Sequence, residues 1–207
     1  MKSKIPLICK KLYEKNLIAG SDGNVSEKQG NKIVITPSNV NKSEINLKDL
    51  CLINEKGQNL KGQASSEKYM HLAIYKYQKK AQAIAHAHPP SAIALSLARA
   101  HWKFLPQALP EIVIALGSVP FAPYTRPGTK QLGESLIPFV QNSKALILSH
   151  HGAVVWGENL QEAFSIMEQL EHACKILCLS EAMGQTKTLS QKEVNELLKK
   201  TKAGLGL

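Results

Sequence analysis

The chain has 207 residues, 43% hydrophobic and 5% aromatic, and no linker, repeat or charge block divides it, so a single domain over residues 1–207 with an aliphatic core is expected. Its net charge of +10 is carried mostly by scattered lysines that do not interleave with aromatic residues, which argues against a nucleic-acid platform and suits a small anionic ligand such as a phosphorylated metabolite. No run approaches membrane-spanning length, the apolar start Ile5 to Ile8 is too short for a signal peptide, and Cys9, Cys51, Cys174 and Cys178 form no CxxC pair. A cytoplasmic protein with free thiols and no membrane partner follows.

In chain order, residues 3–19 read as a helix with Leu7, Ile8, Leu12 and Leu17 on one side and Gly20 as its stop. Ser21 to Ser26 is polar turn chemistry. Residues 32–36 form a strand closed by Pro37, and 50–54 a second. Ser65-Ser66 opens a helix to about Lys80, and residues 81–88 form a strand. Pro90 suits the first turn of a helix through Ala100. Residues 112–115 and 119–122 read as strands. Thr129 caps a helix ending near Gln141, with Pro138 inside it. Residues 145–149 and 153–156 are strands around a His-His-Gly turn, and 159–183 is a long helix stopped by Gly184. Ser190-x-x-Glu193 opens a last helix to Lys200. A mixed sheet covered by helices is expected, without a strict βαβ rhythm.

The chemistry concentrates in the histidines. His86 and His88 are two residues apart at the end of an apolar strand, so both point to one face. A third imidazole from the neighbouring strand end, at His150-His151-Gly152, would complete a three-nitrogen set with an open position, the pattern of a catalytic zinc site. Carboxylate or thiol partners, or a metal other than zinc, satisfy the same spacing. Cys174 and Cys178, one helical turn apart near His172, read as core packing beside Met167, Leu170 and Leu177 rather than as a metal clip.

Three small-residue turns precede the His pair: Gly23-Asn24-Val25-Ser26, Thr36-Pro37-Ser38-Asn39 and Ala64-Ser65-Ser66-Glu67. Each alone reads as a plain turn or cap. Together they offer backbone N–H groups, hydroxyls and a helix N-terminus, enough to cradle a phosphate without an arginine. Glu67 follows in the first turn, where it complements the helix dipole or, if that end faces the metal, serves as a general base.

The ordered motifs GNVS, TPSN, SSEKYMHLAIYK, HAHPP, APYTRPGT and SHHGAVVWG resemble the class II aldolase/adducin family over residues 5–183. Members include L-fuculose-1-phosphate aldolase, L-ribulose-5-phosphate 4-epimerase and methylthioribulose-1-phosphate dehydratase. The resemblance implies an α/β fold: a three-layer α/β/α sandwich around a mostly antiparallel sheet, in a homotetramer with active sites between subunits. It implies His86, His88 and His151 as zinc ligands, with His150 on the opposite strand face. It implies Glu67 as the catalytic base, and Gly23, Asn24, Ser38, Asn39, Ser65 and Ser66 as the phosphate-binding set. Asn39 stands where the family often has Gly, a substitution that tolerates left-handed backbone. Neither residues 106–116 nor the tail after Lys200 supplies the tyrosines that fuculose aldolases use; Glu111 is the acid in the first stretch. The expected activity is zinc-dependent aldehyde-lyase cleavage of a phosphorylated ketose such as L-fuculose 1-phosphate. The alternatives are a dehydratase or 4-epimerase on the same metal, a metal-dependent hydrolase, and a non-catalytic binding module.

Overall fold

The structure is a computed structural model that describes residues 3–204, with side chains through Lys199. Residues 205–207, the end of the tail discussed above, lie outside the described residues. The strands are β1 (Asn24–Gln29), β2 (Lys32–Ile35), β3 (Cys51–Asn54), β4 (Asn59–Lys61), β5 (Ala83–Ala87), β6 (Phe121–Ala122), β7 (Ala145–Leu148) and β8 (Gly152–Gly157). The helices are α1 (Ile5–Glu14), α2 (Lys68–Tyr77), α3 (Pro90–Ala98), α4 (Pro110–Leu116), α5 (Lys130–Val140), α6 (Leu160–Ala182) and α7 (Gln191–Gly204).

Among the described residues one sheet takes all eight strands, in the order β4-β3-β2-β1-β5-β8-β7-β6. Every neighbouring pair is antiparallel except β6 and β7. Side-chain alternation divides the core into two layers. Ala83, Ala85, Ala87, Ala153 and Val155 face one side with α1, α3 and α6. Ile84, Leu146, Val154 and Trp156 face the other with Met70 and Ile74 of α2 and Leu132 and Leu136 of α5. The result is the expected three-layer α/β/α sandwich around a mostly antiparallel sheet. Small alanines along β5 let the long α6 lie close over the sheet centre. No described helix is long and apolar enough to cross a membrane. All four cysteines are free.

Several elements differ from expectation. Residues 112–115 are not a strand but the middle of α4, because Pro110 presets a helical first turn and Val113 and Leu116 bury at helical spacing. The turn expected over residues 21–26 gives way to β1 from Asn24 onward, paired between β2 and β5 at the sheet centre. β1 was illegible because its inward positions, Asn24 and Ser26, are polar yet buried. The short, fully exposed β4 carries no hydrophobic alternation to read. α2 begins at Lys68, so Glu67 is its N-cap residue rather than a first-turn residue, and its carboxylate makes no cap bond. Thr129, Asn159 and Ser190 do cap α5, α6 and α7, accepting from Leu132, Glu162 and Glu193 N–H groups at 3.3, 2.9 and 3.2 Å.

Candidate metal and phosphate site

β5 runs antiparallel to β8 with His86 opposite Val154 and Ala87 opposite Ala153. His86 and His88 share a face, although β5 closes at Ala87 and His88 lies one residue beyond it. Their Nε2 atoms are 3.2 Å apart. His151 enters from the β7–β8 turn, and the ring centroids of the three histidines are 4.7 to 5.1 Å apart. Residues 149–151 form a turn rather than a strand, so strand alternation is not what parts the two neighbours. His150 takes a left-handed conformation, φ 60°, and its exposed ring stacks edge-on with Tyr124. Gly152 is a steric requirement here. A Cβ there would lie 2.4 Å from Ala87 O and 2.9 Å from His88 Cδ2.

The donor set fits a divalent cation. A backbone carbonyl only accepts, so the 2.9 Å contact from His86 Nδ1 to Ala153 O puts the ring hydrogen on Nδ1 and a lone pair on Nε2. His88 Nδ1 sits 3.3 Å from the Asp22 carboxylate, which orients that ring the same way. Imidazoles whose second nitrogen is held by an oxygen are the arrangement that metal-binding histidines adopt. Each of the three offers a nitrogen within 4.8 Å of the others, and among the described residues this is the one such group of three potential ligands.

Glu67 closes the set. Its Oε2 lies 3.1 Å from His86 Nε2 and accepts from Asn24 Nδ2 at 2.8 Å. Its Oε1 lies 3.2 Å from His151 Nε2 in a geometry short of a hydrogen bond, and among the described residues neither it nor His151 Nδ1 has another partner. Burial alone would raise the Glu67 carboxyl, but the charge on His86 and the close approach of both the His151 and His86 rings outweigh it and hold it far below the usual carboxylate range. Burial likewise works against a charge on His86, and the Glu67 carboxylate overcomes it, raising that ring's pKa. Burial, then the charge on His86, pushes His88 down to about 4. A cation among these groups, proton or metal, is what the geometry favours.

A cleft of about 350 Å3 opens from His88, His151 and Glu67 toward the three turns, and Gly23, Asn24, Ser38, Asn39, Ser65 and Ser66 all line it. The structure thus brings the predicted metal ligands, Glu67 and the six turn residues to one place, whereas Glu111 lies in the first turn of α4 and does not line the cleft. A larger groove of about 610 Å3 between α2 and α5 is lined by Tyr69, Tyr77 and Lys130 and contains no such converging group. The turns brace one another. Ser38 Oγ accepts from Ser66 N–H at 3.0 Å and Ser65 Oγ from Glu67 N–H at 3.3 Å. Gly23 and Asn39 adopt positive φ, 69° and 54°. At Gly23 a Cβ would come within 2.7 Å of His86 O. Ser66 Oγ faces Gly128 across the cleft.

Sequence reasoning missed three participants and misplaced a fourth, Ser26, which it counted in the first turn but which is buried and does not line the cleft. Lys42 is buried under the cleft, 2% exposed, and its Nζ donates to Ser21 O and Val40 O at 2.8 Å each, tying the first two turns together. Burial lowers its pKa, against the pull of Cys9, Asp22 and Glu67. Nothing in its local sequence marks it. Asp22 could have been suspected from its place beside Gly23. Ser26 and His71 lie behind Asn24; His71 sits on the apolar side of an amphipathic helix, where a histidine reads as core.

Residues 3–178 match the family described as the Class II Aldolase and Adducin N-terminal domain. An L-fuculose phosphate aldolase of Methanococcus maripaludis strain C7 is 34% identical over 169 residues, 82% of this chain and 91% of that protein. A 3-oxo-tetronate 4-phosphate decarboxylase of Escherichia coli strain K12 is 30% identical over 182 residues, 86% and 85% of the two chains. A solved L-fuculose 1-phosphate aldolase superposes with a TM-score of 0.88 at 31% identity, covering 98% of both chains.

Proposed function

The chain belongs to the class II aldolase and adducin family, and we propose that it is a zinc-dependent aldehyde-lyase that cleaves a phosphorylated ketose such as L-fuculose 1-phosphate. The observation that carries this reading is the convergence of three imidazoles and one carboxylate at one end of a cleft whose other end is lined by three small-residue turns. His86, His88 and His151 would hold the ion, zinc by the preference of that metal for imidazole, with other divalent ions suited to the same set. When bound it supplies Lewis acidity at the substrate carbonyl. Gly23, Asn24, Ser38, Asn39, Ser65 and Ser66 would seat the phosphate, with the N-terminus of α2 adding partial positive charge. That seating fixes the reacting carbons beside Glu67. In cleavage the C4 hydroxyl gives up its proton to water and becomes the aldehyde carbonyl as the C3–C4 bond breaks, the bond's electron pair stays with the ketone fragment, and a proton carried by the Glu67 carboxyl goes to C3. In condensation Glu67 removes that proton. The reading carries with it one domain, a cytoplasmic location and a homotetramer with sites at subunit boundaries.

The decarboxylase relative supports a second reading, because loss of carbon dioxide leaves an electron pair beside a carbonyl in the same way. Metal-loaded protein assayed against ketose 1- and 5-phosphates and 3-oxo acid phosphates separates the cases. Release of a three-carbon ketose phosphate and an aldehyde is the expected result. Carbon dioxide identifies a decarboxylase, loss of water a dehydratase, and a changed C4 centre an epimerase. No turnover, with salt-sensitive binding to generic DNA, would overturn the enzyme reading in favour of a binding module.

A further inference from the structure

Behind Glu67 runs a line of buried polar side chains, of which the steps above use only Asn24, in the phosphate seat. Strand alternation sends Asn24 and Ser26 of β1 to the α2 side of the sheet. Helical spacing stacks Glu67, His71 and Tyr75 in one stripe at i, i+4 and i+8. Asn24, Ser26, His71 and Tyr75 are each at most 5% exposed, in a layer otherwise filled by Met70, Ile74 and Ile84. Polar groups in such a layer are tolerated only when each is satisfied. Here they form a continuous chain. Tyr75 Oη lies 2.8 Å from Ser26 Oγ, and Ser26 Oγ 2.7 Å from His71 Nδ1. His71 Nε2 contacts Asn24 Oδ1, and Asn24 Nδ2 donates to Glu67 Oε2 at 2.8 Å.

The chain has one consistent set of hydrogens. Asn24 shows its oxygen to His71, and an amide oxygen cannot donate, so His71 Nε2 carries the hydrogen. The ring is neutral, since burial, then the charge on His86, pushes its pKa down to about 3. Nδ1 therefore accepts from the Ser26 hydroxyl, and Ser26 Oγ accepts from Tyr75. Turning any member round sets two acceptors or two donors face to face. Turning Asn24 round would set its oxygen against the Glu67 carboxylate.

We propose that Tyr75, Ser26 and His71 are positioning residues that lock the Asn24 amide onto Glu67 Oε2, so that Oε2 stays an acceptor and Oε1 is the oxygen that exchanges the substrate proton. The inference rests on the reading of Glu67 as the base. The two oxygens differ as it requires: each faces an imidazole, Oε2 that of His86 at 3.1 Å and Oε1 that of His151 at 3.2 Å, but only Oε2 is also held by an amide, that of Asn24 at 2.8 Å. An apolar chain behind Glu67 would leave the amide free to flip and the carboxylate free to rotate.

Two measurements test it. Nitrogen-15 NMR of His71 in the full-length protein at neutral pH should show the neutral Nε2–H tautomer; an Nδ1–H tautomer or an imidazolium overturns the chain. Exchange of the α-proton of dihydroxyacetone phosphate with deuterated water gives the second. Ser26→Ala and His71→Gln should each slow exchange about tenfold, with KM and metal content unchanged, against a loss of about 10²–10⁴-fold for Glu67→Gln. If Glu67→Gln abolishes exchange while Ser26→Ala and His71→Gln exchange at the wild-type rate, the positioning role is wrong and the base assignment stands. If Glu67→Gln exchanges normally, the base assignment falls and this inference falls with it. A loss in Ser26→Ala that appears in KM or metal content rather than in exchange marks a merely structural contact and also overturns it.

Discussion

At one end of the cleft, three imidazoles stand on β5 and the β7–β8 turn, held by the sheet; at the other, three turns present main-chain groups and hydroxyls, held by each other and by Lys42. The imidazole end depends on side chains whose lone pairs converge, so a single deletion removes a ligand outright. The turn end depends on many weaker donors, several of them backbone atoms that substitution cannot delete. The two ends should therefore fail differently: steeply at the first, gradually at the second.

The largest break is at the imidazole end. His86→Ala and His151→Ala should each abolish metal binding, about one ion per chain in the wild type by elemental analysis. His150→Ala should largely spare it, because that ring is exposed and turned toward Tyr124. Equal loss at 150 and 151 would mean that the turn presents the wrong neighbour. A subtler blow to the same end is Asp22→Asn. Its carboxylate orients His88, and loss of such a partner costs roughly 10–100-fold in metal affinity. Competition with a chromogenic chelator measures it, and an unchanged affinity would make the Asp22–His88 contact incidental.

The contrast also explains what the sequence disclosed. His86 and His88 were legible because a period of two in an apolar strand forces a shared face. The turns were legible because few residue types tolerate their backbone. The supports were not. Lys42 reaches the cleft across folded distance from a segment with no pattern, and His71 is disguised by the helical stripe that buries it. β1 was hidden because its polar residues bury for the sake of one another rather than of a core. α4 was mistaken for a strand because Ile112 and Val113 outweighed Pro110 in a short window, where periodicity cannot arbitrate.

At the turn end, Ser66→Ala should weaken a phosphorylated ligand by about tenfold, the value of one hydrogen bond to a charged oxygen, with metal content intact. Calorimetric titration with a ketose phosphate and with its dephosphorylated sugar reads this. If the free sugar binds as well as its ester, the turns are not a phosphate seat. Lys42→Met should act in the same direction by releasing the first two turns from one another.

An effect of about the same size lies between the two ends, in how the buried imidazoles respond to acid. His71 and His86 are both fully buried, yet their pKa values move in opposite directions, down to about 3 for His71 and upward for His86. For His71 the folded value lies below the unfolded 6.5, so in that window the unfolded chain binds the extra proton and stability rises with pH. Its contribution is complete above pH 6.5 and declines as the pH falls toward 3. For His86 the folded value lies above 6.5, so its contribution is present in acid and is lost as the pH rises through the folded value. In chelator-treated protein, lowering the pH from 6.5 to 5 should cost about 1.5 kcal/mol through His71 alone, since the unfolded ring is already half protonated at 6.5 and the full slope is 1.36 kcal/mol per unit. Urea titrations over that range should show a shallower acid slope in His71→Gln than in the wild type. An identical slope would mean that His71 is already charged in the folded protein, and the neutral ring between Ser26 and Asn24 would have to be abandoned.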